Sequence, residues 1–143
     1  MQFIDQSDLS PNKVWIDDDG TLNLKVYGIH TTERDDIVHQ ALLKAAAIIK
    51  ESGQSVRLLV DMTELEGSSA GGRRAAFLGL IDLDPDYAGF GGARNVMEAG
   101  LIRMTAKLMS RGVYRYFDGA PTARHWLDSR PKTAKKSAKS AKM

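Results

Sequence analysis

Segments with strand-like and helix-like hydrophobic periodicity alternate along the chain, and this order restricts the fold more than any single residue does. Residues 14–16 are apolar and residues 21–27 alternate between apolar and polar side chains. With the turn signal DDDG at 17–20 between them, they predict a β-hairpin that ends at Gly28. Further strands are predicted at 56–60, 87–92 and 113–117, and helices at about 32–52, 70–82, 95–110 and from Pro121 onward. The order predicts an α/β fold whose mixed sheet has about five strands, antiparallel in the hairpin and parallel elsewhere, with about four helices.

Several segments carry more detailed signals. Thr32 is predicted to cap the first helix at its N-terminus, and Gly53 to follow its C-terminus. Along the second helix an apolar stripe is expected to be buried, formed by Ala76, Phe77, Leu80 and Ile81. The run YAGFGG at 87–92 predicts only a weak strand, because glycine contributes no side chain to sheet packing.

Composition is that of one soluble globular domain, and it is compatible with a reducing compartment. The chain has 143 residues, of which 43% are hydrophobic and 27% charged, and it has no cysteine. The absence of cysteine excludes disulfides, thiolate metal sites and a cysteine nucleophile. The first 13 residues lack the pattern of a signal peptide, and no apolar run approaches the ~20 residues of a membrane span. We therefore expect a cytoplasmic protein with an N-terminal extension at 1–12, a domain at 13–130 and a tail at 131–143.

The basic character of the chain is concentrated in that tail, which contains Lys132, Lys135, Lys136, Lys139 and Lys142 and no acidic residue. Without these five lysines the chain has 15 basic and 18 acidic residues, so its net charge changes from +2 to −3. We expect a solvated, disordered tail. The alternative is a weak contact with nucleic acid or an anionic membrane, although no aromatic residue is interleaved with these lysines.

Two adjacent serines, Ser68 and Ser69, lie in the run EGSSAGG, which joins a predicted strand to a predicted helix. A serine at this place most simply caps the helix by accepting a backbone N–H. Phosphorylation is the alternative, because a helix N-terminus with Arg73 and Arg74 in its first turn would stabilise a phosphate. We expect capping by Ser69 and keep both serines as candidate phosphoacceptors.

Catalytic and metal-binding signals are weak. The three histidines are His30, predicted to lie in a turn, His39, predicted on the exposed side of the first helix, and His125. None has a serine or carboxylate nearby in sequence in a known nucleophile arrangement, and no zinc-binding spacing occurs. The run GFGGAR at 89–94 lacks the pattern of a phosphate-binding loop. We expect no catalysis, no cofactor and no metal.

One end of the sheet is a plausible binding region, because ligands of open α/β sheets collect beyond the carboxyl ends of parallel strands. The residues expected to converge there are Asp61, Thr63, Arg94, Asn95 and Asp118. Arg94 and Asn95 before a helix could hold an anion, but we favour a cap by Asn95 and a surface ion pair for Arg94. Met97, Met104 and Met109 either line a soft apolar groove or, as is commoner, pack in the core.

Three local patterns, in this element order, resemble the STAS superfamily and most closely its SpoIIAA-like branch, also called STAS/SEC14-like. The first is VRLLVDMTELEG, in which Asp61 and Thr63 match a strand-end D-L-S/T-G type of sequence. The second is DPDY at 84–87, where that branch often has a short D-P-x-Y link. The third is YRYFDGAPTARHWL, which is similar to the closing strand, turn and helix. The resemblance covers about residues 13–130.

The resemblance implies a non-enzymatic module. Anti-anti-sigma members of the family bind partner kinases and are phosphorylated on a serine just before the second helix, in a loop that typically reads D-S-S-G or D-S-T-G. Ser69 would match that serine, but Gly67 stands in place of the aspartate and Ala70 in place of the glycine. The likeness of the SpoIIAA-like branch to SEC14 domains implies apolar ligands.

Two functions are therefore favoured, and an enzyme ranks third. The first is a regulatory module that acts on an unknown protein partner, and the second is a carrier or sensor of a small apolar or lipid-like ligand. A deep apolar cavity would favour the second. The apolar edge hairpin admits a homodimer. We expect no specific nucleic-acid partner.

Overall fold

The computed structural model describes residues 1–109 and 113–133, without the side chains of residues 108 and 109. Within these ranges the strands are β1 (Gln2–Phe3), β2 (Lys13–Ile16), β3 (Leu22–His30), β4 (Arg57–Ser68), β5 (Tyr87–Gly91) and β6 (Tyr114–Phe117). The helices are α1 (Gln6–Leu9), α2 (Thr32–Glu51), α3 (Ala70–Leu83), α4 (Val96–Met109) and α5 (Ala120–Asp128). The predicted α/β class is confirmed, with one strand and one helix more than expected among the described residues. Both additional elements, β1 and α1, lie in the segment that the sequence sets apart as an extension.

All six strands described form a single sheet in the order β1-β2-β3-β4-β5-β6. The pairs β1–β2 and β2–β3 are antiparallel, whereas the pairs from β3 to β6 are parallel. This arrangement confirms the predicted antiparallel hairpin followed by a parallel remainder. The positive φ of 86° at Gly20 closes the hairpin turn, a backbone conformation that glycine adopts without strain.

The strands β3 and β4 are longer than the sequence predicts. Gly28 does not end β3, and β4 continues past Val60 to Ser68. Beyond the last β4–β5 pair, Asp61 with Gly91, β3 and β4 remain paired to each other up to His30 and Ser68. This two-stranded ribbon contains two register shifts. Its residues lack a regular apolar pattern, and hydrogen bonds between the two backbones hold them in the strands.

Helices cover the two faces of the sheet unequally. The helices α2, α3 and α4 follow parallel crossovers and lie over one face, where most of the core is found. On the other face α5 packs against β4, β5 and β6 around Leu59, Tyr87, Ala123 and Leu127. We call the face under α2, α3 and α4 the cavity face and the face under α5 the α5 face.

Helix ends follow the predicted chemistry with one shift, while the packing of α3 differs. The N-cap of α2 is Thr31 rather than Thr32, and Gly53 has the expected positive φ, 80°, just past the helix. Ser69 caps α3 as predicted, accepting from the Gly72 N–H at 2.9 Å. The expected burial of the α3 stripe is wrong for Phe77 and Ile81, whose surfaces are 38% and 51% exposed. The physical reason is that α3 packs mainly against α2 and leaves a cavity between itself and the sheet.

Candidate functional site

A cavity of ≈ 180 Å³ lies between the cavity face of the sheet and the helices α2, α3 and α4. Its walls are mainly apolar, and representative side chains are Leu24, Leu42, Leu58, Val60, Phe90 and Ile102. Leu24, Leu58, Val60 and Phe90 come from three neighbouring strands, because alternate residues of a strand point to the same face. Phe77 of α3 also lines the cavity and is 38% exposed, so the cavity opens to solvent beside α3.

A buried histidine–aspartate pair borders the cavity. His30 is the last residue of β3, and Asp35 lies in the first turn of α2, with Thr31 as the N-cap between them. The Nε2 atom of His30 is 2.9 Å from Oδ1 of Asp35, and the two side chains are only 11% and 10% exposed. The prediction that His30 lies in a turn is therefore wrong, since the β3–β4 ribbon carries it into the interior.

A second polar cluster joins three elements at the same cavity. The Ser68 hydroxyl, at the end of β4, donates to Oε1 of Glu98 on α4 at 2.8 Å. Arg73 of α3 donates to the Ser68 carbonyl at 2.9 Å, and its Nη1 lies 3.6 Å from Oε1 of Glu98. Glu98 is 7% exposed, and a buried carboxylate requires such partners. We call Ser68, Arg73 and Glu98 the polar clasp.

A third polar contact connects α2 to α3 along the cavity wall. Nε2 of His39 lies 2.8 Å from Oδ2 of Asp82, and the His39 side chain is only 17% exposed. Gly79 allows this approach, because a Cβ at that position would lie 3.2 Å from Nδ1 of His39. His39 was predicted on the exposed side of its helix, but it lines the cavity.

The two serines have distinct roles in this region. Ser69 uses its hydroxyl oxygen as the cap of α3, whereas Ser68 donates its hydroxyl to a buried carboxylate. A phosphate on Ser68 would face the Glu98 carboxylate, which opposes it electrostatically. Ser69 as a candidate phosphoacceptor remains a prediction.

The other predicted site residues follow one edge of the sheet, where Asp61 is in register with Gly91 and Gly91 with Phe117, and their role in binding remains a prediction. Asp61 accepts from the N–H and the hydroxyl of Thr63, at 3.0 and 2.6 Å. Asn95 caps α4, since its Oδ1 accepts the N–H groups of Met97 and Glu98, at 2.9 and 3.2 Å. Asp118 contacts Arg103 at 3.3 Å instead, and Arg94 is exposed. Asp61 and Thr63 lie inside β4 rather than at its end.

The methionine predictions are wrong for Met97 and Met104. Their surfaces are 73% and 55% exposed, and neither side chain lines the cavity. The reason is that α4 turns a different face inward, with Glu98 and Ala106 buried and Leu101 and Ile102 against the cavity. The side chain of Met109 lies outside what the structure describes.

The polar and titratable groups at the cavity determine what chemistry it could support. The pKa of Tyr114, which lines the cavity, is raised by burial and by the negative charge of Asp84. Among the described residues no hydrogen bond joins the Ser68 hydroxyl to His30, so they do not form a nucleophile–base pair. Groups of three or more potential metal ligands are absent from the same residues.

No described helix is long and apolar enough to span a membrane.

Only partial local signals in the sequence point to these residues. Asp35 lies five positions after His30, but a helix begins between them, and this spacing matches no catalytic motif. Ser68 and Glu98 are 30 residues apart, so only the folded chain brings them together. The cavity itself depends on how far α3 lies from the sheet, which periodicity does not report.

Comparison with known proteins identifies the fold. No protein-family model matches the sequence, and no curated protein matches it. An uncharacterized protein of the DUF3478 family from Shewanella loihica PV-4, which has a SpoIIAA-like fold, is 22% identical with a TM-score of 0.61, over 81% of this chain and 91% of that chain. The anti-sigma factor antagonist SpoIIAA in its unphosphorylated form is 9% identical with a TM-score of 0.52, over 83% of this chain and 99% of that chain. These likenesses, with the observed element order, show that the chain has a STAS/SpoIIAA-like fold.

Proposed function

We propose that this protein is a non-catalytic sensor that binds a small apolar ligand in the cavity between the sheet and the helices α2 to α4. The observation that carries the proposal is the apolar cavity itself. A well-packed domain leaves few voids larger than a water molecule, so a cavity of ≈ 180 Å³ is costly unless it serves binding.

The volume limits the size of the ligand. An apolar cavity of about 150 Å³ holds a benzene molecule. The cavity of ≈ 180 Å³ therefore suits a single ring with a small substituent, or a short alkyl chain. A diacyl lipid would need α3 to move away from the sheet, which distinguishes this proposal from a phospholipid carrier.

The polar groups at the cavity favour a ligand with a neutral hydrogen-bond donor. Asp35 and Glu98 bring two buried carboxylates, whereas Arg73 brings one guanidinium that already contacts Glu98 and the Ser68 carbonyl. A hydroxyl on the ligand could donate to these carboxylate oxygens without adding charge. An anionic head group would meet the carboxylates, which disfavours a fatty acid.

Ligand-observed NMR with para-cresol, a phenol of suitable size, tests the proposal. Ala106 of α4 lines the cavity and is 5% exposed, so Ala106→Leu fills part of the volume. Ala99 lies on the same helix but does not line the cavity, which makes Ala99→Leu the matched control. We expect para-cresol to bind the wild type and the control and to lose binding to Ala106→Leu. Absence of binding to the wild type at millimolar para-cresol, or equal binding to Ala106→Leu, would contradict the proposal.

A protein partner is the second candidate function, and the exposed apolar residues of α3 favour it. Phe77, Leu78 and Ile81 are 38%, 51% and 51% exposed on one helix, an arrangement that suits a protein contact. The SpoIIAA-like fold supports the same idea, since the solved relative SpoIIAA is an anti-sigma factor antagonist. A partner isolated by cross-linking should be lost with Leu78→Asp and kept with Arg74→Asp on the same helix. Retention of the partner by Leu78→Asp would argue against this surface.

A further inference from the structure

The α5 face of the sheet carries an aromatic and basic surface that the cavity does not explain. Helix α5 packs on β4, β5 and β6, and it reaches β3 through Arg124, whose Nη1 lies 3.5 Å from Oδ1 of Asn23. The strands β1, β2 and β3 present Phe3, Lys13, Trp15, Lys25 and Tyr27 on this face. We call these five residues the aromatic platform.

Two aromatic rings of the platform are adjacent and one is held in place. Phe3 pairs with Trp15 in register, and their ring centroids are 5.7 Å apart. Phe3 is 48% exposed. The indole Nε1 of Trp15 donates to Oδ1 of Asp17 at 2.9 Å, and Arg124 fixes Asp17 through Oδ2 at 2.6 Å. The Trp15 ring is therefore oriented before any ligand arrives.

The two lysines of the platform lie opposite each other in register on β2 and β3. Like charges at directly opposed positions destabilise a sheet. Among the described residues neither lysine forms an ion pair with a carboxylate. Their ammonium groups lie 6.0 and 5.5 Å from the ring centroid of Tyr27. An anion would relieve the repulsion while the rings remain available beside it.

Rings and ammonium groups alternate along the strands of the platform. Trp15, the Lys13–Lys25 pair and Tyr27 occupy successive rows, two residues apart, which places the rows roughly 7 Å from one another. Flat aromatic surfaces stack on nucleobases, and interspersed ammonium groups contact phosphates. We propose that the aromatic platform binds single-stranded nucleic acid, without reading its sequence.

The lysine-rich segment leaves the domain at the Trp15 end of the platform. Thr133 forms a bridge with Gln54, and the side chain of Gln54 packs against Gly20 in the β2–β3 turn. Lys132 is exposed there, and Lys135, Lys136, Lys139 and Lys142 follow in the sequence. The exposed Lys132 therefore adds positive charge near the Trp15 end of the platform.

Fluorescence anisotropy with labelled oligothymidylate and oligouridylate of about 12 nucleotides tests the proposal with the full chain. Titrations run between about 50 mM and 200 mM salt, since phosphate contacts make the affinity salt-dependent. We expect Phe3→Ala, a change at an exposed side chain, to weaken binding about tenfold, and Trp15→Ala to weaken it at least as much. Ile48→Ala, which removes a 40% exposed apolar side chain of α2 on the opposite side of the sheet, is the control and should bind as the wild type does.

The lysines are tested by the salt dependence. Replacing both Lys13 and Lys25 by Gln should lower the slope of log affinity against log salt by about 1.4, because each phosphate contact with a single strand contributes about 0.7. The same change at Lys50 and Lys107, exposed on the helices of the cavity face, removes equal charge and should leave the slope almost unchanged.

Three results would overturn the proposal. The first is absence of binding by the wild type at low salt. The second is binding that is lost when Lys135, Lys136, Lys139 and Lys142 are replaced by Gln but is unaffected by Phe3→Ala and Trp15→Ala, which would assign it to the tail alone. The third is that anionic vesicles displace the oligonucleotide and that Phe3→Ala and Trp15→Ala weaken vesicle binding as much as they weaken oligonucleotide binding. This result would make the surface a membrane contact.

Discussion

The glycines of β5 allow a sharp test of the packing on the α5 face. Gly89 and Gly91 point toward α5 from the same strand, but the distances to the helix differ. A Cβ on Gly91 would lie 2.6 Å from the Gly119 carbonyl oxygen and 2.7 Å from its carbon. A Cβ on Gly89 would lie 3.4 Å from the Ala123 carbonyl oxygen and from Leu127, which is ordinary contact.

These distances predict different outcomes for the same chemical change. Replacing glycine by alanine in a strand stabilises the folded state by up to about 1 kcal/mol, because alanine lowers the entropy of the unfolded chain and has the higher strand propensity. At Gly91 the new methyl group collides with backbone atoms that cannot rotate away, and overpacking of this kind costs about 1–3 kcal/mol. We expect Gly91→Ala to lower the free energy of unfolding by about 2 kcal/mol and Gly89→Ala to change it by less than about 0.5 kcal/mol.

Urea denaturation followed by tryptophan fluorescence measures the effect, since Trp126 lies on α5 beside Tyr87 and Phe117. The melting temperature of Gly91→Ala should fall by roughly 4–8 °C, at about 2–4 °C per kcal/mol for a domain of this size. Equal destabilisation by the two variants would refute the reasoning, because it would mean that the close approach of residues 119 and 120 to β5 does not decide the cost.

Three further predictions concern single groups. Ser69→Ala should lower the free energy of unfolding by about 1 kcal/mol through loss of the α3 cap, measured by urea denaturation, and an unchanged midpoint would contradict the cap. Burial alone would raise the pKa of Asp19, but hydrogen bonds from Thr21 and the charges of Arg124 and Arg57 outweigh it and lower the pKa below 3.8. The stability that Asp19 contributes should therefore be present above pH 3.8 and disappear as the pH falls through its lowered value, so thermal melts of Asp19→Asn and wild type should converge in acid. Burial and the charge of Asp84 raise the pKa of Tyr114 above 10.0, so its contribution should be lost as the pH rises through that raised value. Tyr114→Phe should remove this part of the alkaline loss of stability, and identical alkaline unfolding profiles would contradict it.

The order of elements was predictable because it rests on local periodicity. The alternation at residues 21–27 and the turn before it predicted the β2–β3 hairpin, and the stripe of α2 predicted a long helix. The elements β1 and α1 have two and four residues, too few for a period to emerge. The continuation of β4 to Ser68 was missed because its stability comes from pairing with β3, and pairing between distant segments leaves no local signal.

The prediction for β5 also missed a contact between segments that are distant in sequence. YAGFGG predicted a weak strand on propensity, yet all five residues of β5 are buried between β4 and β6. Glycine is required there by the close approach of α5, and propensity cannot register that requirement. Tertiary contact thus overrides the local preference at Gly91.

The candidate site was largely unpredictable from sequence for a physical reason. A helical stripe predicts which side chains share a face, but not how closely the helix approaches the sheet. The stripe of α3 predicted Phe77 and Ile81 in the core, whereas α3 stands off and leaves the cavity. Glu98 appeared in the sequence as an ordinary polar residue of a helix, and only the end of β4 and the start of α3 give it partners.

The two proposed sites use opposite faces of the same strands, and this separates their tests. On β3, Leu24 and Val26 point into the cavity, whereas Lys25 and Tyr27 belong to the platform. Because side chains alternate along a strand, a change at Lys25 leaves the cavity wall intact, and Ala106→Leu on α4 leaves the platform intact. Binding of para-cresol and binding of an oligonucleotide should therefore respond to separate variants. A loss of both with one variant would indicate damage to the sheet itself rather than to either site.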